Sequence, residues 1–128
     1  MRIYISGPMT GYPNLNRNAF YAKERQLRVL GYKDIRNPAI IEKLVGSGKD
    51  YADYLRLAVN WLITCDILVY VDNVKLSSRG CYAETLLAES LKMPICFCKD
   101  DGLYKAVRDR AILTCGDKID PPLFKRRL

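Results

Sequence analysis

The chain has 128 residues, 49% of them hydrophobic and 27% charged, which suits one compact domain and is too short for two with adequate cores. No apolar run approaches the roughly 18 residues of a membrane span, Met1-Arg2 opens directly onto a short apolar stretch instead of a secretory signal, and the aliphatic and tyrosine content excludes disorder. The net charge of +7 (21 Lys+Arg against 14 Asp+Glu) favours anionic partners, although a basic excess spread along the chain reads as a solubility feature sooner than as a groove for duplex DNA.

Arg2-Ile3-Tyr4-Ile5-Ser6 is β-branched and aromatic and ends at Gly7-Pro8, so it reads as a strand followed by a turn-rich loop to Asn14. From Asn16 to Leu30, Ala19, Phe20, Ala22, Leu27 and Leu30 recur with mostly helical spacing, and Gly31 stands where a terminating glycine belongs. Tyr32–Arg36 is a weak second strand broken by Asn37-Pro38. Gly46-Ser47-Gly48 marks a loop, and Asp50 is placed to cap a helix running to about Thr64. Asp66–Val71 is the clearest strand, apolar on both faces as a central parallel strand is. A polar loop to Ser78 leads into a helix over about Arg79–Leu91, with Ala83, Leu86, Leu87 and Leu91 expected on its apolar side. Pro94–Cys98 is a fourth strand, and Asp100-Asp101-Gly102 starts a last helix expected to reach about Leu113. Alternation of this kind predicts an α/β fold in three layers, flavodoxin-like or Rossmann-like, with a parallel sheet of four strands, or five, and helices on both faces. The core runs over about 2–114, with a tail at 115–128. A site is expected in the loops beyond the carboxyl ends of the strands, after Ser6, Arg36, Val71 and Cys98.

The chain contains no histidine, which removes Ser-His-Asp and Cys-His nucleophile systems and leaves carboxylates, Tyr, Lys, Arg, thiols and backbone dipoles. Five cysteines, an odd number without a C-x-x-C pair, argue against a zinc site and a disulfide framework, and for cytoplasmic thiols acting as small core hydrophobes. In the first loop Gly7 and Gly11 let backbone amides approach a phosphate and Thr10 adds a hydroxyl, or the segment is a plain turn stiffened by Pro8. Ser77-Ser78-Arg79-Gly80 sits at a helix start, where free N–H groups favour an anion. Ser78 either caps the helix or bonds a phosphate oxygen, and Arg79 adds a charged fork. Glu84, six residues after Ser78 and embedded in a largely apolar stretch, can present a carboxylate from a rigid helix and attack an electrophilic sugar carbon.

Tyr4-Ile5-Ser6-Gly7-Pro8-Met9-Thr10-Gly11, Asn37-Pro38-Ala39, Cys65-Asp66-Ile67-Leu68-Val69 and Ser78-Arg79-Gly80-x-x-x-Glu84-x-x-x-Ala88 together resemble a small domain family common in phages and prophages. That family is similar to the nucleoside 2-deoxyribosyltransferases and the deoxynucleoside 5′-monophosphate N-glycosidases, and the likeness covers roughly residues 2–98. The resemblance implies Glu84 as the nucleophile on C1′ of the sugar, Tyr4 as the active-site tyrosine on strand one, and Ser78 on a 5′-phosphate. It implies the Gly7–Gly11 loop, with Pro8 and Met9, around the substrate; Ser6, Asn37, Asp72, Arg79 and Gly80 are further expected substrate-binding residues. One position departs: the aspartate expected eight residues before Asp66 is Ala58, and Asp72 or a carboxylate from a neighbouring subunit would have to replace it.

The leading expectation is therefore cleavage or exchange of the N-glycosidic bond of a (deoxy)nucleoside or its 5′-monophosphate, with no cofactor. A binder that sequesters nucleotides in the same pocket without chemistry is the alternative supported by Ala58. A third, binding of nucleic acid or protein through Lys125-Arg126-Arg127, lacks a DNA-binding motif. Expected surroundings are the cytoplasm, or a host's cytoplasm for a phage protein, without membrane contact. A homodimer or larger homo-oligomer is expected, with Pro121-Pro122-Leu123-Phe124 reaching a neighbour.

Overall fold

A computed structural model describes residues 1–41, 51–74, 78–97 and 112–114. The Gly46-Ser47-Gly48 loop, the Asp50 cap, residues 75–77, the segment 98–111 and the tail 115–128 lie outside the described residues.

β1 (Arg2–Ser6) and β3 (Ile67–Tyr70) form the middle of the sheet, buried on both faces apart from Arg2, which explains why both sequences lack polar alternation. β2 (Asp34–Arg36) flanks β1, and β4 (Ile95–Phe97) flanks β3. A fifth strand, β5 (Ile112–Thr114), completes the order β2-β1-β3-β4-β5, with every pair parallel. The helix expected to reach Leu113 is thus corrected, because Ile112–Thr114 pairs with β4. Ile112, Leu113 and Thr114 carry the branched and apolar character that suits an extended strand.

The chain leaves β1 for β2 on one side and returns past it to β3 on the other. Right-handed crossovers then put α1 (Arg17–Val29) on one face, and α2 (Tyr51–Ile63) and α3 (Arg79–Ser90) side by side on the other. Phe20 and Leu27 of α1 are wholly buried against the Ile3, Ile5, Val69 and Val71 side of the sheet. Gly31 ends α1 at φ +103°, with its N–H on the Arg28 carbonyl and the Tyr32 N–H on the Leu27 carbonyl, a Schellman closure. α3 closes in the same way at Lys92, a non-glycine residue at φ +57°.

The buried side of α3 differs from the expected one. Cys81, Glu84, Thr85 and Ala88 face inward, while Leu86 and Leu91 are 44% and 48% exposed. Both stripes satisfy helical spacing, and the β1 and β3 side chains beneath decide between them. Tyr4, Ser6 and Tyr70 offer hydroxyls, and the polar stripe of α3 answers them. The cysteines also depart from expectation in one place. Cys65 and Cys81 are buried free thiols, as read from the sequence, but Cys96 is disulfide-bonded.

Candidate active site

The site is built on the inner ends of β1 and β3, where the strand order reverses and the last rung is the Val71 N–H on the Ser6 carbonyl at 2.9 Å. Alternation along β1 sends Ile3 and Ile5 to α1, and Tyr4 and Ser6 to α3. One turn into α3, Glu84 is 5% exposed and meets both hydroxyls. Ser6 Oγ donates to Glu84 Oε1 at 2.7 Å, and Tyr4 OH donates to Glu84 Oε2.

Burial pushes the Glu84 carboxyl up from 4.5 to about 7, against the opposing pull of the Tyr4 and Ser6 hydrogen bonds. Among the described residues, the groups that hold this charge are the Tyr4 and Ser6 hydroxyls, and no cation is among them. The Tyr4 hydroxyl is driven well above its ordinary 10.0 by burial first and by the neighbouring carboxylate second, so it stays a donor at working pH. Cys81 Sγ lies 3.8 Å from Ser6 Oγ, and burial raises this thiol to about 12, keeping it protonated and unreactive. Beneath these groups Thr85 Oγ1 donates to the Cys81 carbonyl at 2.8 Å, which leaves Tyr70 OH to donate to Thr85 Oγ1 at 2.5 Å. This chain pins the first turns of α3 to the end of β3.

The remaining expected residues divide by position. Ser78 is the N-cap residue of α3, yet its side chain makes no capping hydrogen bond, so the first N–H groups of the helix and a free hydroxyl stand together beside exposed Arg79 and half-buried Gly80. In the first loop Pro8 is buried, Met9 is half-buried and accepts from Tyr54 OH at 2.8 Å, and Thr10 and Gly11 are exposed. Gly11 needs its glycine for backbone conformation, at φ +86°. Gly7 needs its own for space: a Cβ there would stand 2.3 Å from Val71 Cγ2.

Two candidates are turned away from Glu84. Asn37 is 3% exposed and its amide is engaged internally, accepting the Ala39 N–H at 2.9 Å and donating to Glu24 Oε1 at 2.9 Å. It borders a separate groove of about 340 Å³ at the β2 edge, with Arg2, Arg36, Asn60 and Trp61. Asp72 bonds Lys23 Nζ of α1 at 2.7 Å. Ala58 is wholly buried on α2 and brings no polar atom.

The sequence reading passed over Asn16, Asn73, Lys23, Tyr70 and Thr85. The one available signal was the run of asparagines around the two loops, since Asn and Asp side chains readily bond nearby backbone. The partners lie 57 residues apart, which no local pattern reports.

The profile of a family described as Domain of unknown function (DUF4406) matches residues 1–97. The chain belongs to that family. A search of curated proteins finds no match. Among solved structures this DUF4406 chain resembles a 2-deoxyribosyltransferase from the psychrotolerant bacterium Bacillus psychrosaccharolyticus, with a TM-score of 0.72 at 12% identity over 97% of this chain and 96% of the other. At that identity the likeness establishes a shared fold. No helix among the described residues is long and apolar enough to cross a membrane.

Proposed function

We propose that the chain cleaves or exchanges the N-glycosidic bond of a (deoxy)nucleoside or its 5′-monophosphate, with Glu84 attacking C1′. The observation that carries this reading is the Glu84 carboxylate itself. It is buried at the strand-order switch, has no cationic partner among the described residues and is gripped by two hydroxyls of one rigid strand. A carboxylate held this way costs stability, and groups with such shifted protonation concentrate at working sites. The solved relative is itself described as a 2-deoxyribosyltransferase, which supports the same class of chemistry.

In the proposed step a Glu84 oxygen adds to C1′ as the C1′–N bond breaks, and the bonding pair leaves with the base, which takes a proton from solvent. Tyr4 and Ser6 fix the carboxylate plane and leave each oxygen a second lone pair for attack. Positive charge developing on the sugar is met by the carboxylate in a water-poor setting, where the attraction is strong. The glycosyl ester is then opened at C1′ by water, which loses a proton, or by the nitrogen of a second base, and Glu84 leaves as carboxylate. The uncapped start of α3, the free Ser78 hydroxyl and Arg79 offer an anion site for a 5′-phosphate. The net charge of +7 favours capture of an anionic substrate, an effect that salt weakens.

The test is incubation with a panel of nucleosides, deoxynucleosides and their 5′-monophosphates, with and without an acceptor base, followed by chromatography. Release or exchange of base that disappears in Glu84→Gln is the expected result. Release that persists in this variant removes Glu84 from the chemistry. Nucleotide binding without release in the parent chain instead supports the second reading, sequestration without turnover, which Ala58 favours because α2 supplies no carboxylate there.

A further inference from the structure

Beyond the Val71-to-Ser6 rung, β1 and β3 lead into separate connections, and nothing covalent joins their ends. Three noncovalent ties do. The buried Asn16 amide donates to the Pro8 carbonyl at 2.8 Å and to Asn73 Oδ1 at 3.1 Å, and Asn73 Nδ2 donates back to Asn16 Oδ1 at 2.9 Å. Both protons of the Asn16 amide are thus used, one on each connection. Next along the chain, Asp72 is held from the α1 side by Lys23, whose ammonium is buried and also bonds Gln26 at 2.7 Å. At the base of the pair, Gly7 touches Val71 so closely that no Cβ fits.

The backbone is bent to make the Asn16 contact. Asn14, Leu15 and Asn16 stand at φ +51°, +54° and +60°, three successive non-glycine residues in left-handed conformation. Asparagine tolerates this conformation and leucine does not, so the local cost is real and the surrounding structure must hold the segment in place. What the bend achieves is to aim the Asn16 amide between the two connections.

We propose that Asn16 and Asn73, backed by Lys23 and Asp72, are positioning residues that clasp the Gly7–Gly11 loop to the end of β3 and so set the substrate-binding rim beside Glu84. The proposal rests on the glycosyl-transfer reading for its kinetic consequence, but the clasp itself is independent of it. Glu84 is held separately by Tyr4 and Ser6, so loosening the rim weakens substrate binding more than it slows the chemical step.

The experiment uses Asn73→Ala, Asn16→Gly (which keeps the left-handed backbone and deletes the amide) and the double variant. With a deoxynucleoside 5′-monophosphate as substrate, each single variant is expected to raise KM about tenfold while kcat stays within about threefold. The double variant is expected to match the worse single one, because both delete the same contact. In parallel, hydrogen exchange of the peptide spanning residues 7–12 is expected to speed up at least tenfold while exchange within β1 is unchanged. Unchanged KM in a folded variant, multiplying effects in the double variant, or unchanged exchange would each overturn the clasp. If the parent chain turns over no substrate, the functional reading falls and the exchange measurement alone still decides the clasp.

Discussion

Replacing Glu84 by Gln should remove the chemistry and, above neutral pH, make the protein more stable. Burial raises the native carboxyl from 4.5 to about 7, so between those values the native state keeps a proton that the unfolded chain releases. Where the native state binds more protons, stability falls as pH rises. The Glu84 contribution is therefore fully present below about 4.5 and is lost as pH climbs through about 7. At about 1.4 kcal/mol per pH unit, the full loss is about 3 kcal/mol. Gln keeps the shape and never ionises, but it must donate to one of the two hydroxyls that now donate to Glu84, which costs about 1 kcal/mol. The net expectation is a variant about 2 kcal/mol more stable than the parent at pH 8, and equal to it or about 1 kcal/mol less stable at pH 4.5. Urea unfolding followed by circular dichroism at the two pH values measures this directly. In heat, the gain at pH 8 corresponds to a Tm rise of about 8 °C for a domain of this size. A stability difference independent of pH, or a variant less stable than its parent at pH 8, would refute the picture of an uncompensated buried carboxylate.

Tyr4→Phe deletes one of the two donors that hold the Glu84 charge, so the carboxyl should rise further above about 7. The acidic limb of the base-release rate should then move to higher pH, and a limb that stays in place would detach Tyr4 from Glu84. Gly7→Ala should destabilise the fold by about 1–3 kcal/mol, because the new methyl overlaps Val71. Adding Val71→Ala should recover part of that loss, and a lack of recovery in denaturant midpoints would disprove the close approach. Lys92→Gly, at the left-handed residue that closes α3, should raise stability by about 1 kcal/mol, as read from the urea midpoint with an unchanged slope.

The sheet was legible in the sequence because buried parallel strands must be apolar on both faces, and Ile3–Ile5 and Ile67–Tyr70 are so wherever they are placed. The closure of α1 at Gly31 was equally local, since only glycine takes φ +103° without strain. Glu84 stood out for a related reason, a carboxylate inside an apolar helix.

What the tertiary structure decided was direction. In α3 two stripes with the same spacing compete, and the leucine-rich one loses because Tyr4, Ser6 and Tyr70 need polar partners from the helix above them. β5 escaped the reading because a three-residue strand has too few positions to show a period. Lys23 carries no local signal of its role, because its partner Asp72 lies 49 residues away and only folding brings it to the buried ammonium. Asn16 and Asn73 likewise became a pair only when the strand order placed their loops side by side. The amino-acid sequence by itself determined which segments are apolar enough to form the sheet and which carboxylate is out of place in its helix. Which hydroxyls hold that carboxylate, and which amides hold the rim around it, depended on contacts across the sheet that local spacing does not encode.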